Sequence, residues 1–265
     1  MIKNSINMNI GLVLSGGGVR GIAHIGAIKA LEEEGIIPSH IAGTSAGAIV
    51  GALYAEGHSC EEILRFFKTV DLFSINTYAL RKPGFVDSDK LFEVFKKYIP
   101  HDTFEGLKKR LFITGTNILE GTSEIFQDGP LIKAILASAA YPGVFTPVNI
   151  NGKYYVDGGV LNNFPVDAIE NYCDTILGVY VNPFEKMKIS DLKHSYNVMD
   201  RALQIKMEDG LLSKFKVCDL LICPKSLSDY STFSFNNADI IYELGYKAAK
   251  EVILSEKGLL LTNKI

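Results

Sequence analysis

Eleven of the chain's 24 glycines, at positions 11, 16, 17, 18, 21, 26, 35, 43, 47, 51 and 57, fall within its first 57 residues, where an even spread along 265 residues would put about five. Glycine has no Cβ, so it reaches backbone conformations other residues resist and lets another group approach the chain closely. The glycines have no three-residue period, and 47% of the residues are hydrophobic, which excludes collagen and low-complexity disorder and leaves a folded globular protein. They cluster where apolar runs give way to helical patterns. Ile10 to Leu14 reads as a buried strand, followed by glycines and a helix over Ala23 to Glu34 with apolar positions 25, 28 and 31. Ser39 to Gly43 reads as a second short strand ending in a second turn, and Ala46 to Ala55 as helical.

The alternation continues downstream. Leu111 to Ile118 and Ser123 to Gln127 read as strands joined at Glu120-Gly121, Thr175 to Val181 and Leu220 to Cys223 as further strands, and about Val198 to Phe215 and Ala238 to Ser255 as helices. Strands alternating with helices predict an α/β sheet covered on both faces. With no repeat and no low-complexity linker, the expectation is one domain over 1–265. Two amphipathic stretches rich in Phe and Lys, Glu61 to Phe73 and Ser88 to Tyr98, read either as surface helices with one core face or as a lid or interfacial patch that meets lipid.

Charge narrows the partners. Lys plus Arg number 27 against 30 Asp plus Glu, a net −3 without the basic surplus that nucleic-acid binding requires, so no nucleic acid is expected. Residues 35–55 are uncharged, and the Gly43, Gly47, Gly51 repeat suits either a packed membrane helix or a helix pressed against a sheet or loop; the preceding turn signal and Pro38 favour the latter. Met1 to Ser5 does not read as a secretory signal, and cysteines 60, 173, 218 and 223 form no C-x-x-C pair and have no zinc-spaced His, so reduced thiols in a cytoplasmic protein without metal or other cofactor are expected.

Two motifs carry chemistry. Gly16, Gly18 and Gly21 match G-x-G-x-x-G, but the second strand runs into Gly43-Thr44-Ser45, while the nearby acids Glu32, Glu33 and Glu34 end the helix; a dinucleotide site would put an acid at that strand's end. The same loop, with exposed N–H groups and a helix start behind it, suits an oxyanion; a turn for close packing is the plain alternative. Gly43-Thr44-Ser45-Ala46-Gly47 is G-x-S-x-G between strand and helix, the setting in which a sharp turn lifts a serine hydroxyl above the sheet. Ser45 as a mere helix N-cap is the competing reading.

A serine nucleophile needs a base. Of His24, His40, His58, His101 and His194, only His194 comes late enough for the α/β-hydrolase order. Asp157, in Tyr154-Tyr155-Val156-Asp157-Gly158-Gly159, is the other candidate, although D-G after a β-rich run is also a common turn. From the residues alone, the base stays undecided.

Taken together, GGGVRG at 16–21, GTSAG at 43–47, and ASAAYPGVFTPV at 137–148 followed by DGG at 157–159 resemble the patatin-like phospholipase family, close to bacterial members similar to neuropathy target esterase. The resemblance extends along most of the chain, with the core motifs within about 10–168, and is weakest over 60–108 and 184–236. It implies a three-layer α/β/α fold with a mostly parallel central sheet, hydrolysis of lipid acyl esters, and peripheral membrane contact. It also implies a dyad without histidine, with Ser45 as nucleophile and Asp157 as base. The oxyanion hole would be built from Gly16, Gly17 and Gly18 and held by Arg20, with Gly21, Gly43, Gly47, Gly158 and Gly159 shaping the turns.

Overall fold

The computed structural model describes residues 8–70, 88–183, 187–230 and 235–262. Its centre is an eight-stranded sheet of β1 (Ile10–Leu14), β2 (His40–Gly43), β3 (Arg110–Asn117), β4 (Thr122–Phe126), β5 (Val148–Ile150), β6 (Lys153–Asp157), β7 (Thr175–Val179) and β8 (Leu220–Ile222). The hydrogen-bonded pairing runs β5-β6-β3-β2-β1-β7-β8, with β4 also paired to β3. β1 pairs in parallel with β2 and β7, β2 with β3, and β7 with β8, while β4, β5 and β6 join in antiparallel fashion.

Successive side chains of a strand leave opposite faces, and they sort the core into two layers. Leu12, Leu14, Ile41, Leu111, Ile113 and Leu177 join the larger apolar cluster, and Val13, Ala42, Phe112 and Ile176 the smaller one behind the sheet. Burial on both faces is why β1, β2 and β7 read as unbroken apolar runs rather than alternating ones. The larger layer holds α1 (Ile22–Glu33), α2 (Ala46–Glu56), α3 (Cys60–Thr69), α4 (Ser88–Tyr98), α5 (Leu131–Ser138) and α9 (Ala238–Ile253). Behind the sheet, Phe164 packs edge-on against Tyr180 and Phe215 of α8 (Leu211–Phe215). This is the three-layer α/β/α arrangement.

Helix α1 is apolar nearly all round because it lies between the sheet and α9. A Cβ on Gly26 would sit 2.1 Å from Tyr242 O, and one on Gly245 2.0 Å from Ala23 O, so the two helix backbones touch. The helix expected over Val198 to Phe215 is two: α7 (Ser195–Met207) and α8, separated at Gly210, whose φ of +71° a continuous helix does not accommodate. Strand β5, α5 and the short α6 (Gly159–Asn162) had no counterpart in the sequence reading. Among the described residues no helix is long and apolar enough to cross a membrane.

The register of β3 builds the site. Along one edge of β3, β2 ends with Gly43 opposite Ile113; along the same edge, β6 arrives antiparallel and ends with Asp157 opposite Gly115. β4 takes the other edge. The C-terminal ends of β2 and β6 therefore face each other across two residues of β3, about 7 Å at the rise of a strand. Whatever follows β2 meets whatever ends β6.

Candidate active site

Ser45 follows β2 and precedes α2 with φ 54° and ψ −121°, a left-handed conformation that side-chain-bearing residues rarely adopt. Such strain, of order 1–3 kcal/mol, persists only where the surroundings enforce it. They do so here by close approach. A Cβ on Gly43 would lie 2.6 Å from Gly47 O, and one on Gly47 2.3 Å from Leu14 O, so α2 starts in backbone contact with the end of β1. On the other side, the Ser45 N–H donates to the Ser138 hydroxyl at 2.9 Å.

The Ser45 hydroxyl donates to Asp157 Oδ2 at 2.6 Å, and the Gly159 N–H donates to Asp157 Oδ1 at 2.7 Å. Asp157 is 1% exposed. Burial raises its pKa from 3.8 to about 6, the bonds from Ser45 and Gly159 opposing that rise. Its loop hangs from the end of α5: Asp157 N–H donates to Ala140 O at 2.9 Å and Gly158 N–H to Ser138 O at 3.2 Å. Ser138, fully buried, thus touches the serine's backbone with its hydroxyl and the aspartate's loop with its carbonyl. The residue lies inside the ASAAYPGVFTPV block, yet its role was not readable there, because it depends on a fold contact 93 residues from Ser45.

The 16–21 loop abuts the serine: a Cβ on Gly16 would stand 3.3 Å from that of Ser45, and one on Gly21 2.5 Å from that of Ala46. Here the expectation for Gly16 is corrected. Its N–H donates to Asn163 O at 3.1 Å and is therefore spent on anchoring the loop. Gly18 opens a 3₁₀ turn, a position whose N–H has no acceptor within its own helix, with Gly17 as its cap. Below the loop, His24 is buried and bonded to Ser15 O at 2.8 Å, and burial lowers its pKa to about 4. Arg20 reaches to the segments after β7 and β8, donating to Tyr230 O at 2.8 Å, Ser228 O at 3.3 Å and Asn182 Oδ1 at 3.1 Å.

Ser45, Asp157 and Gly16 to Gly18 line one pocket. One wall is apolar, made of Ile49, Phe67, Leu91, Phe95, Leu136 and Phe145. Tyr141, Asn182, Asp200, Gln204 and Met207 complete the lining. There Asp200 accepts from the Tyr141 hydroxyl at 2.6 Å and from Gln204 Nε2 at 2.9 Å. Of the Phe-rich stretches, α3 and α4 bury Phe66, Phe67 and Phe95 as core, with Phe67 and Phe95 forming part of the pocket wall; residues 71–73 lie outside the described residues. None of the five histidines lines the pocket, and His194 is exposed at the start of α7. Among the described residues no group of three or more His, Cys, Asp or Glu is placed to hold a metal ion.

A strained serine on a strand-to-helix elbow, bonded to a buried carboxylate above a mostly parallel sheet, defines an α/β protein of the nucleophile-elbow class. The profile of the patatin-like phospholipases matches residues 12–169, and the chain belongs to that family. Among its relatives, the lysophospholipase NTE1 of Meyerozyma guilliermondii is 30% identical over 284 residues, covering 95% of this chain and 20% of that protein. An uncharacterized NTE family protein of Mycobacterium tuberculosis is 32% identical over 188 residues, covering 69% of this chain and 52% of that protein. The chain thus spans about a fifth of the length of the NTE1 lysophospholipases it matches. The crystal structure of VipD from Legionella pneumophila shares the fold, with a TM-score of 0.59 at 17% identity over 93% of this chain and 67% of that one.

Proposed function

We propose that this protein is a carboxylic ester hydrolase acting on lipid acyl esters, phospholipid or lysophospholipid, through a Ser45–Asp157 dyad. The observation that carries the reading is the 2.6 Å bond from the Ser45 hydroxyl to a buried carboxylate, at the foot of a pocket with one apolar wall. The acyl chain lies along Ile49, Phe67, Phe95 and Leu136, with the ester carbonyl carbon over Ser45. Asp157 takes the hydroxyl proton as Ser45 Oγ bonds to that carbon. The carbonyl oxygen becomes an oxyanion and accepts from the Gly17 and Gly18 N–H groups, a preorganised pair of the kind whose members are each worth about 10²–10³ in kcat. Collapse breaks the bond to the alcohol oxygen, which leaves with the proton from Asp157. A water then gives its proton to Asp157 and attacks the acyl-enzyme, releasing the fatty acid and returning the proton to Ser45.

A carboxylate with a pKa near 4 is a weak base at neutral pH; burial that lifts Asp157 to about 6 brings it toward the range where a general base is effective. Arg20 supports the site from behind, holding the loop after Gly18 to the segments at Asn182 and Tyr230. The family membership and the NTE1 lysophospholipase relatives support the lipid substrate. The dyad motifs sit in one patatin-like domain, and the protein works in the cytoplasm at the membrane periphery. The test is a fluorophosphonate probe with nitrophenyl esters: the wild type is labelled at Ser45 and turns over, while Ser45→Ala is folded, unlabelled and inactive. Labelling that survives Ser45→Ala would refute the assignment.

A further inference from the structure

Helix α7 forms one wall of the pocket and has two unlike faces. Asp200, Gln204 and Met207 follow one another at helical spacing and line the pocket. Val198, Met199, Ala202 and Ile205 lie on the opposite side, toward solvent, with Val198 51%, Met199 60% and Ile205 54% exposed. Just before the helix, Met187 and Ile189 are 41% and 86% exposed. Exposed apolar side chains along one helix face and the segment leading into it mark a surface suited to being covered. Lysines border it: Lys188 and Lys193 are exposed, as is Lys206, which pairs with Asp209 at 2.8 Å.

We propose that the outward face of α7, with Met187 and Ile189, is the surface by which this protein seats itself on a phospholipid membrane bearing anionic lipid. Apolar residues flanked by lysines suit a layer of acyl chains beneath negatively charged head groups. Continuity with the site favours lipid over another occupant. The helix that presents Met199 and Ile205 outward presents Gln204 and Met207 inward, so a membrane on the outer face lies about 10–12 Å, one helix diameter, from the pocket that takes the acyl chain. Helices α3 and α4, by contrast, spend their aromatic rings on the core. The identity of the covering surface rests on the lipid-ester reading; the exposed apolar face does not.

The test is co-sedimentation with vesicles of phosphatidylcholine and phosphatidylglycerol, and with phosphatidylcholine alone, using the full chain with Ser45→Ala so that lipid is not consumed. The protein is expected to partition to the mixed vesicles, and Met199→Ser with Ile205→Ser to weaken partitioning by about tenfold or more. The same two substitutions on the Ser45 chain should leave turnover of a soluble nitrophenyl butyrate unchanged and lower turnover of vesicle lipid in step with binding, while Ile205→Trp strengthens binding. Partitioning that is absent, or indifferent to Met199→Ser with Ile205→Ser, overturns the proposal. So does a dimer in solution that those substitutions dissociate. Absent nitrophenyl turnover with intact vesicle binding would instead sink the hydrolase reading and leave the surface standing.

Discussion

Replacing Asp157 with asparagine should abolish turnover and, at neutral pH, make the protein more stable. An asparagine side chain fits the same space: its carbonyl accepts from the Gly159 N–H, and its amide donates to Ser45 Oγ in place of the bond Asp157 receives there. What changes is the buried charge. Folding raises the Asp157 pKa from 3.8 to about 6, so the folded state holds the proton more tightly than the unfolded one. The favourable contribution is full below pH 3.8 and is lost as pH rises through 6. At 1.36 kcal/mol per pH unit, the ionised carboxylate costs the folded protein about 3 kcal/mol above pH 6. The neutral amide carries no such cost, so the stability gain of Asp157→Asn should grow from near zero below pH 4 to about 3 kcal/mol at pH 8, or on the order of 5–10 °C in Tm. Denaturant melts of both proteins across this range measure it, and the contribution of buried His24, which titrates in the opposite sense, cancels in the difference. A variant no more stable than wild type at pH 8, or a gain that does not vary with pH, would refute the reasoning.

Three further outcomes follow from the same geometry. The kcat/KM for a nitrophenyl ester should rise with pH through about 6 as Asp157 ionises, and keep that limb in His194→Ala; loss of the limb in that variant would reassign the base. Ser138→Ala removes the acceptor of the Ser45 N–H, and an unmet buried donor costs about 1–3 kcal/mol, so kcat should fall about 10–100-fold with KM little changed and Ser138→Thr restoring part of it. Across a series of acyl lengths, burial of about 0.8 kcal/mol per methylene along the apolar wall should raise kcat/KM about fourfold per carbon until the pocket is full, a slope that Phe95→Ala extends to longer chains.

Legibility in the sequence followed the range of the interactions. The elbow and the glycine loop were readable because each is written in a short run of residues: Gly43 is demanded by the backbone of Gly47 within the strand-to-helix turn and Gly47 by Leu14 O at the end of β1, and G-x-S-x-G records both demands in five residues. β1, β2, α1 and α2 were readable for the same reason, their apolar runs and turns being contiguous. Strand β5 and helix α5 were not, because three residues of strand and eight of helix leave too little periodicity to see. The fate of the Gly16 N–H was equally hidden, since its acceptor lies at Asn163.

By itself, the sequence determined an α/β chain with a serine on a strand-to-helix turn and a glycine loop ahead of it, since those follow from backbone sterics over a few residues. The neighbour of that serine was left open by the residues and named only by the family resemblance, because the tertiary structure is what brings it there. Asp157 is 112 residues away and reads locally as the start of a turn; it reaches Ser45 because β2 and β6 end against the same edge of β3, two residues apart. Burial at that junction then sets its charge. Desolvation belongs to the packed site, so no spacing of residues along the chain encodes a carboxyl that titrates near 6.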